Sequence, residues 1–112
     1  MKDKLNVTIG NLFSNLPDQI DKELFDTILS SASFEIERIV SKGHNSPEDY
    51  WYDQGKHEWV MVLKGSAGLR FENEKEIVKM IPGDYINIPA YCKHRVEWTD
   101  PDTETIWLAV HY

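Results

Sequence analysis

The sequence contains a single cysteine, no long apolar run and no concentration of basic residues. Because Cys92 has no second cysteine to pair with, an internal disulfide is excluded and a reducing compartment is the expected setting. No stretch approaches the roughly 18 consecutive apolar residues of a membrane span, and the first residues lead into no apolar signal segment. We therefore expect a cytoplasmic protein without a membrane-embedded part.

The charge balance is acidic, with 19 Asp and Glu residues against 12 Lys and Arg residues and a formal net charge of −7. The basic residues are scattered along the chain, whereas binding to nucleic acid phosphates needs clustered Lys and Arg, so nucleic acid is not an expected partner. Internal repeats, low-complexity tracts and linkers are also absent. At 112 residues the chain is long enough for one domain with one core.

Short strand patterns, each ended by turn residues, fill the sequence from residue 34 onward. They alternate in hydrophobicity or are rich in β-branched and aromatic residues, and they predict strands at 34–40, 57–63, 68–71, 76–80, 85–89, 94–98 and 105–111. Many short strands at such spacing are typical of an antiparallel sandwich or barrel.

The first third of the chain is less regular. Residues 6–9 fit a short strand or an arm, and residues 18–29 fit either a helix or a strand. We favour a strand for 18–29 because the following Ser30–Ser33 segment is typical of a hairpin connection. The expected organisation is one domain, with an N-terminal arm and first strands over 1–33 packing on a barrel core formed by 34–112.

Two spacings in the second half of the chain carry a resemblance. Glu58 is followed by six residues and then Gly65, and Gly83 is followed at fixed intervals by Pro89 and His94. In this order they resemble the second half of the first cupin motif and the complete second cupin motif. The resemblance implies an all-β fold, a cupin-like antiparallel β-barrel or jelly roll, also called a double-stranded β-helix.

In cupins, two histidines and a glutamate of the first motif and a histidine of the second motif bind a divalent metal ion. This sequence lacks the first two histidines. Counting back three intervening residues from Glu58 puts Gln54 and Tyr52 at their positions, and counting back four puts Asp53 and Trp51 there. We favour Gln54, because residues 52, 54 and 58 point to the same face of a strand.

The metal ligands implied by the resemblance are therefore Gln54, Glu58 and His94, with Tyr52 as a possible fourth group and catalytic acid or base. Amide, carboxylate and imidazole ligands suit Mn²⁺, Fe²⁺, Zn²⁺ or Ni²⁺. A bound metal could polarise a carbonyl or lower the pKa of a water molecule, as lyase or isomerase chemistry requires. The alternative is a metal-free pocket in which Glu58 and His94 form a buried ion pair.

For three other residues, the sequence gives weaker evidence of a role in the site. Arg38 shares a strand face with Ile36 and Val40, so in an inward orientation it could bind a substrate carboxylate; a surface ion pair is the alternative. Cys92 could be an accessory ligand or a redox-sensitive thiol, and otherwise a small packing residue. For His111, in the last predicted strand, packing is the expected role.

His57 and His44 are not expected to bind a metal. His57 is adjacent to Glu58, and neighbouring strand residues point to opposite faces, so His57 could be a ligand only if a β-bulge intervened. His44 lies in a loop of Gly, Asn and Ser residues and is expected to be solvated.

Three classes of function remain open, since the fold does not decide the chemistry. The first is a metal-dependent enzyme acting on a small molecule, and the second is a non-catalytic, metal-free cupin that binds or senses a small molecule. The third is a metal-free isomerase of carbohydrates that uses a histidine base and a tyrosine acid. A homodimer is also expected, because the face of the central strand that carries Trp59, Met61 and Leu63 needs cover.

Overall fold

The computed structural model describes residues 7–112, and within them the protein contains eight strands and no helix. No helix in this part of the chain could therefore cross a membrane. The all-β prediction is confirmed. The strands are β1 (Leu24–Ser30), β2 (Glu35–Ser41), β3 (Glu58–Lys64), β4 (Ala67–Phe71), β5 (Val78–Met80), β6 (Tyr85–Ile88), β7 (His94–Thr99) and β8 (Thr105–His111).

The strands form two antiparallel sheets. The larger sheet has the order β1-β2-β8-β3-β6 and the smaller one the order β5-β4-β7. The last strand, β8, is therefore the central strand of the larger sheet, and it pairs with β2 on one side and β3 on the other. Most of the buried apolar residues form one core cluster to which both sheets contribute, including Trp107 of the last strand.

The strand favoured for residues 18–29 is confirmed for Leu24–Ser30, which forms a hairpin with β2. Residues 18–23 have no regular secondary structure. Of the strand or arm predicted at 6–9, residue 6 lies outside the described residues, and residues 7–9 form no strand. Because β1 pairs with β2 in the same sheet as the cupin-like strands, the N-terminal third contributes directly to the larger sheet.

Alternation along β3 decides which side chains enter the interior. Glu58, Val60 and Val62 are buried, whereas Trp59 and Met61 between them are only partly buried. The interior face continues on β8, where Trp107 pairs with Val62 and His111 pairs with Glu58. A strand with period-two alternation thus places the Glu58 carboxylate on the inner wall, as the sequence pattern predicts.

Candidate functional site

A cavity of about 140 Å³ lies between the two sheets, which is space for several water molecules or a small organic ligand. Most of its wall is apolar, and seven polar side chains also line it. The polar lining residues are Glu23, Glu37, Tyr52, Gln54, Glu58, His94 and His111.

Three of the residues expected to bind a metal meet in this cavity. The Gln54 Nε2 donates a hydrogen bond of 2.9 Å to Glu58 Oε1, and the His94 Nε2 lies 3.5 Å from the same oxygen. His94 Nδ1 lies 2.9 Å from the Cys92 carbonyl oxygen, to which it donates. This backbone contact fixes the imidazole so that Nε2 faces Glu58 and the cavity.

Two backbone contacts bring the segment before β3 to the start of β7. Tyr52 and His94 form an isolated antiparallel bridge, with N···O distances of 2.7 and 3.1 Å. Two residues further on, the Gln54 carbonyl accepts a hydrogen bond from the Tyr91 amide. These contacts hold the irregular segment beside the start of β7. Its polar side chains therefore lie close to the buried carboxylate of Glu58.

Glu58 and His94 stabilise each other's charged forms. Burial by itself would raise the pKa of Glu58, but its contact with His94, together with the His111 and Gln54 interactions, lowers that pKa below its ordinary value. Burial opposes the charged form of His94 too, yet the Glu58 carboxylate and the Cys92 carbonyl raise the His94 pKa on balance. In the absence of a metal ion, the two groups form a buried ion pair.

Tyr52 lies beside this pair, with its ring stacked on the His94 ring at a centroid distance of 5.7 Å. Burial, followed by the negative charge of Glu23, raises the pKa of Tyr52 to about 12. Its phenol therefore keeps its proton at neutral pH and is a hydrogen-bond donor rather than a base.

His111 is a cavity residue that the sequence analysis assigned to packing. Its Nε2 lies 2.9 Å from Glu37 Oε1, and both side chains line the cavity. The alternation of β8 contains the signal that was missed: Trp107 and Ala109 face the core, so His111, at the next position of the same parity, must do so too. The expected packing role of His111 is therefore corrected to a polar, cavity-lining one.

A second group of possible metal ligands adjoins the first. Ligand atoms of Glu35, Glu37 and His111 lie within 4.8 Å of one another, on the neighbouring strands β2 and β8. His111 is also the cross-strand partner of Glu58. The donor atoms of the two groups are carboxylate oxygens, imidazole nitrogens and, in the first group, the Gln54 amide oxygen, a set that fits Mn²⁺, Fe²⁺ or Zn²⁺.

The side chains of the remaining histidines and of the cysteine do not line the cavity. His57 Nδ1 accepts a hydrogen bond from the Ala90 amide, and no part of His57 lines the cavity, as the strand-face argument predicts. His44 Nδ1 accepts one from the Lys42 amide. Cys92 is partly buried against the core, and its contribution to the site is the carbonyl group that orients His94.

The orientation expected for Arg38 is wrong. Glu37 and Ile39 of the same strand line the cavity, so Arg38 points to the other side of the sheet. There its guanidinium binds Asp26 at 2.7 Å and donates to the carbonyl oxygens of Leu12 and Ser14. Arg38 thus attaches the N-terminal segment to the sheet. It forms an ion pair, as the alternative interpretation predicts, but it is buried rather than at the surface.

Arg95 holds the segment that leads to Tyr52. Its guanidinium donates to the carbonyl oxygens of Ser46, Pro47 and Tyr50 at 3.0 to 3.3 Å, and its Nε lies 2.9 Å from Glu97. The side chain is 9% exposed. Because irregular backbone next to a core must find hydrogen-bond partners, Arg95 replaces the missing strand pairing.

We expect Arg95→Met to reduce the free energy of unfolding by about 2 kcal/mol, since it leaves carbonyl groups of this segment without their charged donor. Urea denaturation followed by tryptophan fluorescence measures the change. Arg70→Met is the matched control: Arg70 also contacts Glu97, but its side chain is 38% exposed, so its loss should cost less. Equal losses in both variants would contradict the role given to Arg95.

The Glu37–His111 pair predicts a specific titration behaviour. The hydrogen bond with Glu37 raises the pKa of His111 above the ordinary value of 6.5, against the smaller opposing effect of burial. A raised histidine pKa contributes stability that is complete below pH 6.5 and is lost as the pH rises through the raised value. In Glu37→Gln, NMR titration of the metal-free protein should show a lower His111 pKa. In the control Glu74→Gln, a change at an exposed turn, the pKa should stay the same.

Two facing antiparallel sheets with a polar-lined cavity between them define the class of double-stranded β-helix barrels. A family model described as a cupin domain matches residues 37–111. The chain belongs to the cupin family, as the two motif spacings predict. No curated protein was found to match the chain.

Solved structures agree with this assignment. A protein from Ralstonia eutropha JMP134, provisionally named a mannose-6-phosphate isomerase, is 46% identical with a TM-score of 0.91, over 94% of this chain and 97% of that one. An RmlC-like cupin from Desulfovibrio desulfuricans has 13% identity, a TM-score of 0.72 and coverage of 94% and 96%. One from Methanocaldococcus jannaschii, with a double-stranded β-helix fold, has 15% identity, a TM-score of 0.67 and coverage of 87% and 85%. The last two show the fold alone.

Proposed function

We propose that this cupin binds a divalent metal ion through Glu58, His94 and Gln54 and uses the adjoining cavity to bind or convert a small molecule. The observation that carries the proposal is the convergence of these three side chains on one point of the cavity wall, with His94 oriented by a backbone carbonyl. His111 and Glu37 supply further donor atoms nearby. The metal identity is left open among Mn²⁺, Fe²⁺, Zn²⁺ and Ni²⁺.

The chemistry of the site follows from its residues. A metal ion in this position would act as a Lewis acid toward a ligand oxygen. Tyr52 would donate a hydrogen bond from its neutral phenol. The apolar side chains that line the cavity would keep bulk water from the reacting groups. These properties suit lyase or isomerase chemistry and give no support for a redox role.

Elemental analysis of purified, tag-free protein tests the metal proposal. After incubation with each of the four ions and gel filtration, we expect about one tightly held ion per chain for at least one of them. Substoichiometric metal that is unchanged in Glu58→Ala would overturn the proposal and leave a metal-free binding pocket.

The alternative function is a metal-free cupin that binds or senses a small molecule. It is favoured by the Glu58–His94 contact, which already satisfies both buried groups as an ion pair, and by the Gln54 amide nitrogen that faces Glu58. The metal-free isomerase with a histidine base and a tyrosine acid is supported by the stacking of Tyr52 on the paired His94. Both alternatives predict full ligand binding after treatment with a chelator.

The name of the Ralstonia protein suggests a narrower version of the metal-dependent function, the isomerisation of a phosphorylated sugar. A metal-dependent isomerisation is compatible with the residues of this cavity. Binding the phosphate group of such a sugar would need cationic residues, so the charges around the cavity determine which class of ligand it accepts.

We also propose that the protein forms a homodimer. The outer face of the larger sheet carries Trp59 and Met61, and Trp59 packs on Tyr85, which is 67% exposed. Because this apolar face would be covered in a dimer, light scattering at micromolar concentration should give a mass of two chains. A mass near one chain, 13.1 kDa, would refute the dimer.

A further inference from the structure

We propose that the cavity binds a small organic cation, an amine on an apolar body, and that it excludes phosphorylated sugars. This inference deepens the proposed function, since it names the class of ligand for the same cavity. It concerns the metal-free cavity, because a divalent ion would add two positive charges to the site and could itself bind a phosphate or carboxylate oxygen.

The first observation is the distribution of charge around the cavity. Among the described residues, 7–112, its lining contains three carboxylates, those of Glu23, Glu37 and Glu58, and no Lys or Arg residue. Two of the carboxylates are paired, Glu37 with His111 and Glu58 with His94. Glu23 is not: it accepts a hydrogen bond of 2.7 Å from the Ser41 hydroxyl, and no Lys, Arg or His within residues 7–112 forms an ion pair with it. Within this part of the chain, Glu23 is thus the one cavity carboxylate without a cationic partner.

The arginines of the barrel are held elsewhere. Arg38 binds Asp26 on the far side of the larger sheet, and Arg70 and Arg95 both contact Glu97. The described fold also contains no helix, so no helix N-terminus is present to hold a phosphate group. Without a metal ion, a phosphate needs guanidinium or ammonium groups, or several aligned backbone amides, to offset its desolvation. Among residues 7–112, the cavity lining provides no guanidinium or ammonium group.

The second observation is the apolar part of the wall. Five apolar side chains that are buried in the core also line the cavity: Ile39, Val60, Leu69, Ile88 and Trp107. Such a wall favours an aliphatic or aromatic body by removing its apolar surface from water, and it offers little to the hydroxyl groups of a sugar. An amine attached to a hydrocarbon group fits both features of the cavity: its ammonium group would pair with Glu23, and its hydrocarbon group would pack on the apolar wall.

Three probes of similar size and different charge test the inference: hexylamine, 1-hexanol and hexanoate. Titration calorimetry at low ionic strength should show hexylamine binding at least tenfold more tightly than the other two. Mannose 6-phosphate should not bind detectably at millimolar concentration. Equal or tighter binding of hexanoate, detectable binding of mannose 6-phosphate, or no binding of hexylamine would each overturn the inference.

The Glu23→Gln variant identifies the carboxylate responsible. The amide can still accept the hydrogen bond from Ser41, so we expect the fold to persist while hexylamine affinity falls about tenfold and hexanol affinity stays the same. Glu74→Gln, a change of charge at an exposed turn, is the matched control and should retain full hexylamine affinity. An unchanged hexylamine affinity in Glu23→Gln would contradict the assignment.

The ligand titrations are carried out on chelator-treated protein, and metal binding is measured separately by elemental analysis of metal-loaded protein. If the loaded protein holds no metal but the chelator-treated protein prefers hexylamine, the metal proposal fails and the ligand class stands. If metal is held at Glu58 and His94 but the chelator-treated protein prefers hexanoate or mannose 6-phosphate, the ligand class fails and the metal proposal stands.

Discussion

His94→Ala is expected to reduce the bound divalent metal from about one ion per chain to less than a tenth of that amount. His94 is the one imidazole of the predicted ligand set, and its Nε2 is held toward Glu58 by the contact of Nδ1 with the Cys92 carbonyl. Loss of even an outer-shell partner typically weakens metal binding about 10–100-fold, so loss of a ligand should do at least as much. Elemental analysis after gel filtration measures the effect.

The matched control is His57→Ala. His57 is close to Glu58 in sequence, but its ring packs on Tyr112 and its Nδ1 binds the Ala90 amide outside the cavity. Its removal should leave the metal content unchanged. If His57→Ala loses metal while His94→Ala retains it, the ligand assignment is wrong. Circular dichroism spectra of both variants establish that the fold is retained, and the Glu58→Gln variant provides a second test that keeps the side-chain shape.

Gly65→Ala is expected to destabilise the protein by about 3 kcal/mol, which would lower the melting temperature by about 10 °C for a domain of this size. Gly65 ends the first motif with a φ of +80°, a conformation that costs a residue with a side chain about 1–2 kcal/mol. An added Cβ would also lie 2.7 Å from the Glu104 carbonyl oxygen and the Thr105 Cα. Because these are backbone atoms, the overlap adds about 1–3 kcal/mol.

Gly83→Ala separates the two contributions. Gly83, in the second motif, also has a positive φ, +94°, but an added Cβ would meet no atom within 4 Å. This variant should therefore lose only the conformational contribution, about 1–2 kcal/mol. Thermal and urea denaturation of the two variants under the same conditions test the difference. Equal destabilisation would show that steric overlap at Gly65 contributes nothing.

Most strands could be predicted because their signals are local. The alternation of β3 identifies Glu58, Val60 and Val62 as one face, and the turn residues around it mark where the strand ends. The motif glycines are local signals too, since a positive φ is a property of single turns. These features are encoded within a few neighbouring residues, and for this reason the family and the fold class were accessible from the sequence.

For Arg38 and His111, the local sequence pattern does not decide the surroundings of the side chain. Alternation says that Arg38 and Ile39 point to opposite sides of β2, but it does not say which side is the interior. That choice depends on the smaller sheet, which covers one side, and on the segment around Leu12 and Ser14, which accepts hydrogen bonds from Arg38 on the other. For His111, alternation with Trp107 and Ala109 gives the inward face, but only the position of β8 between β2 and β3 gives its polar partners there, Glu37 and Glu58.

An acidic, all-β cupin chain with Gln54, Glu58 and His94 as one group could be predicted from the sequence, because motif spacing and strand alternation are short-range properties. The surroundings of that group depend on long-range packing and came from the three-dimensional structure. Pairing of distant strands brought Glu37 and His111 to the same cavity and directed the guanidinium groups elsewhere, and it left Glu23 without a cationic partner among residues 7–112. Charge balance depends on distances between side chains remote in sequence, and those distances are set by packing.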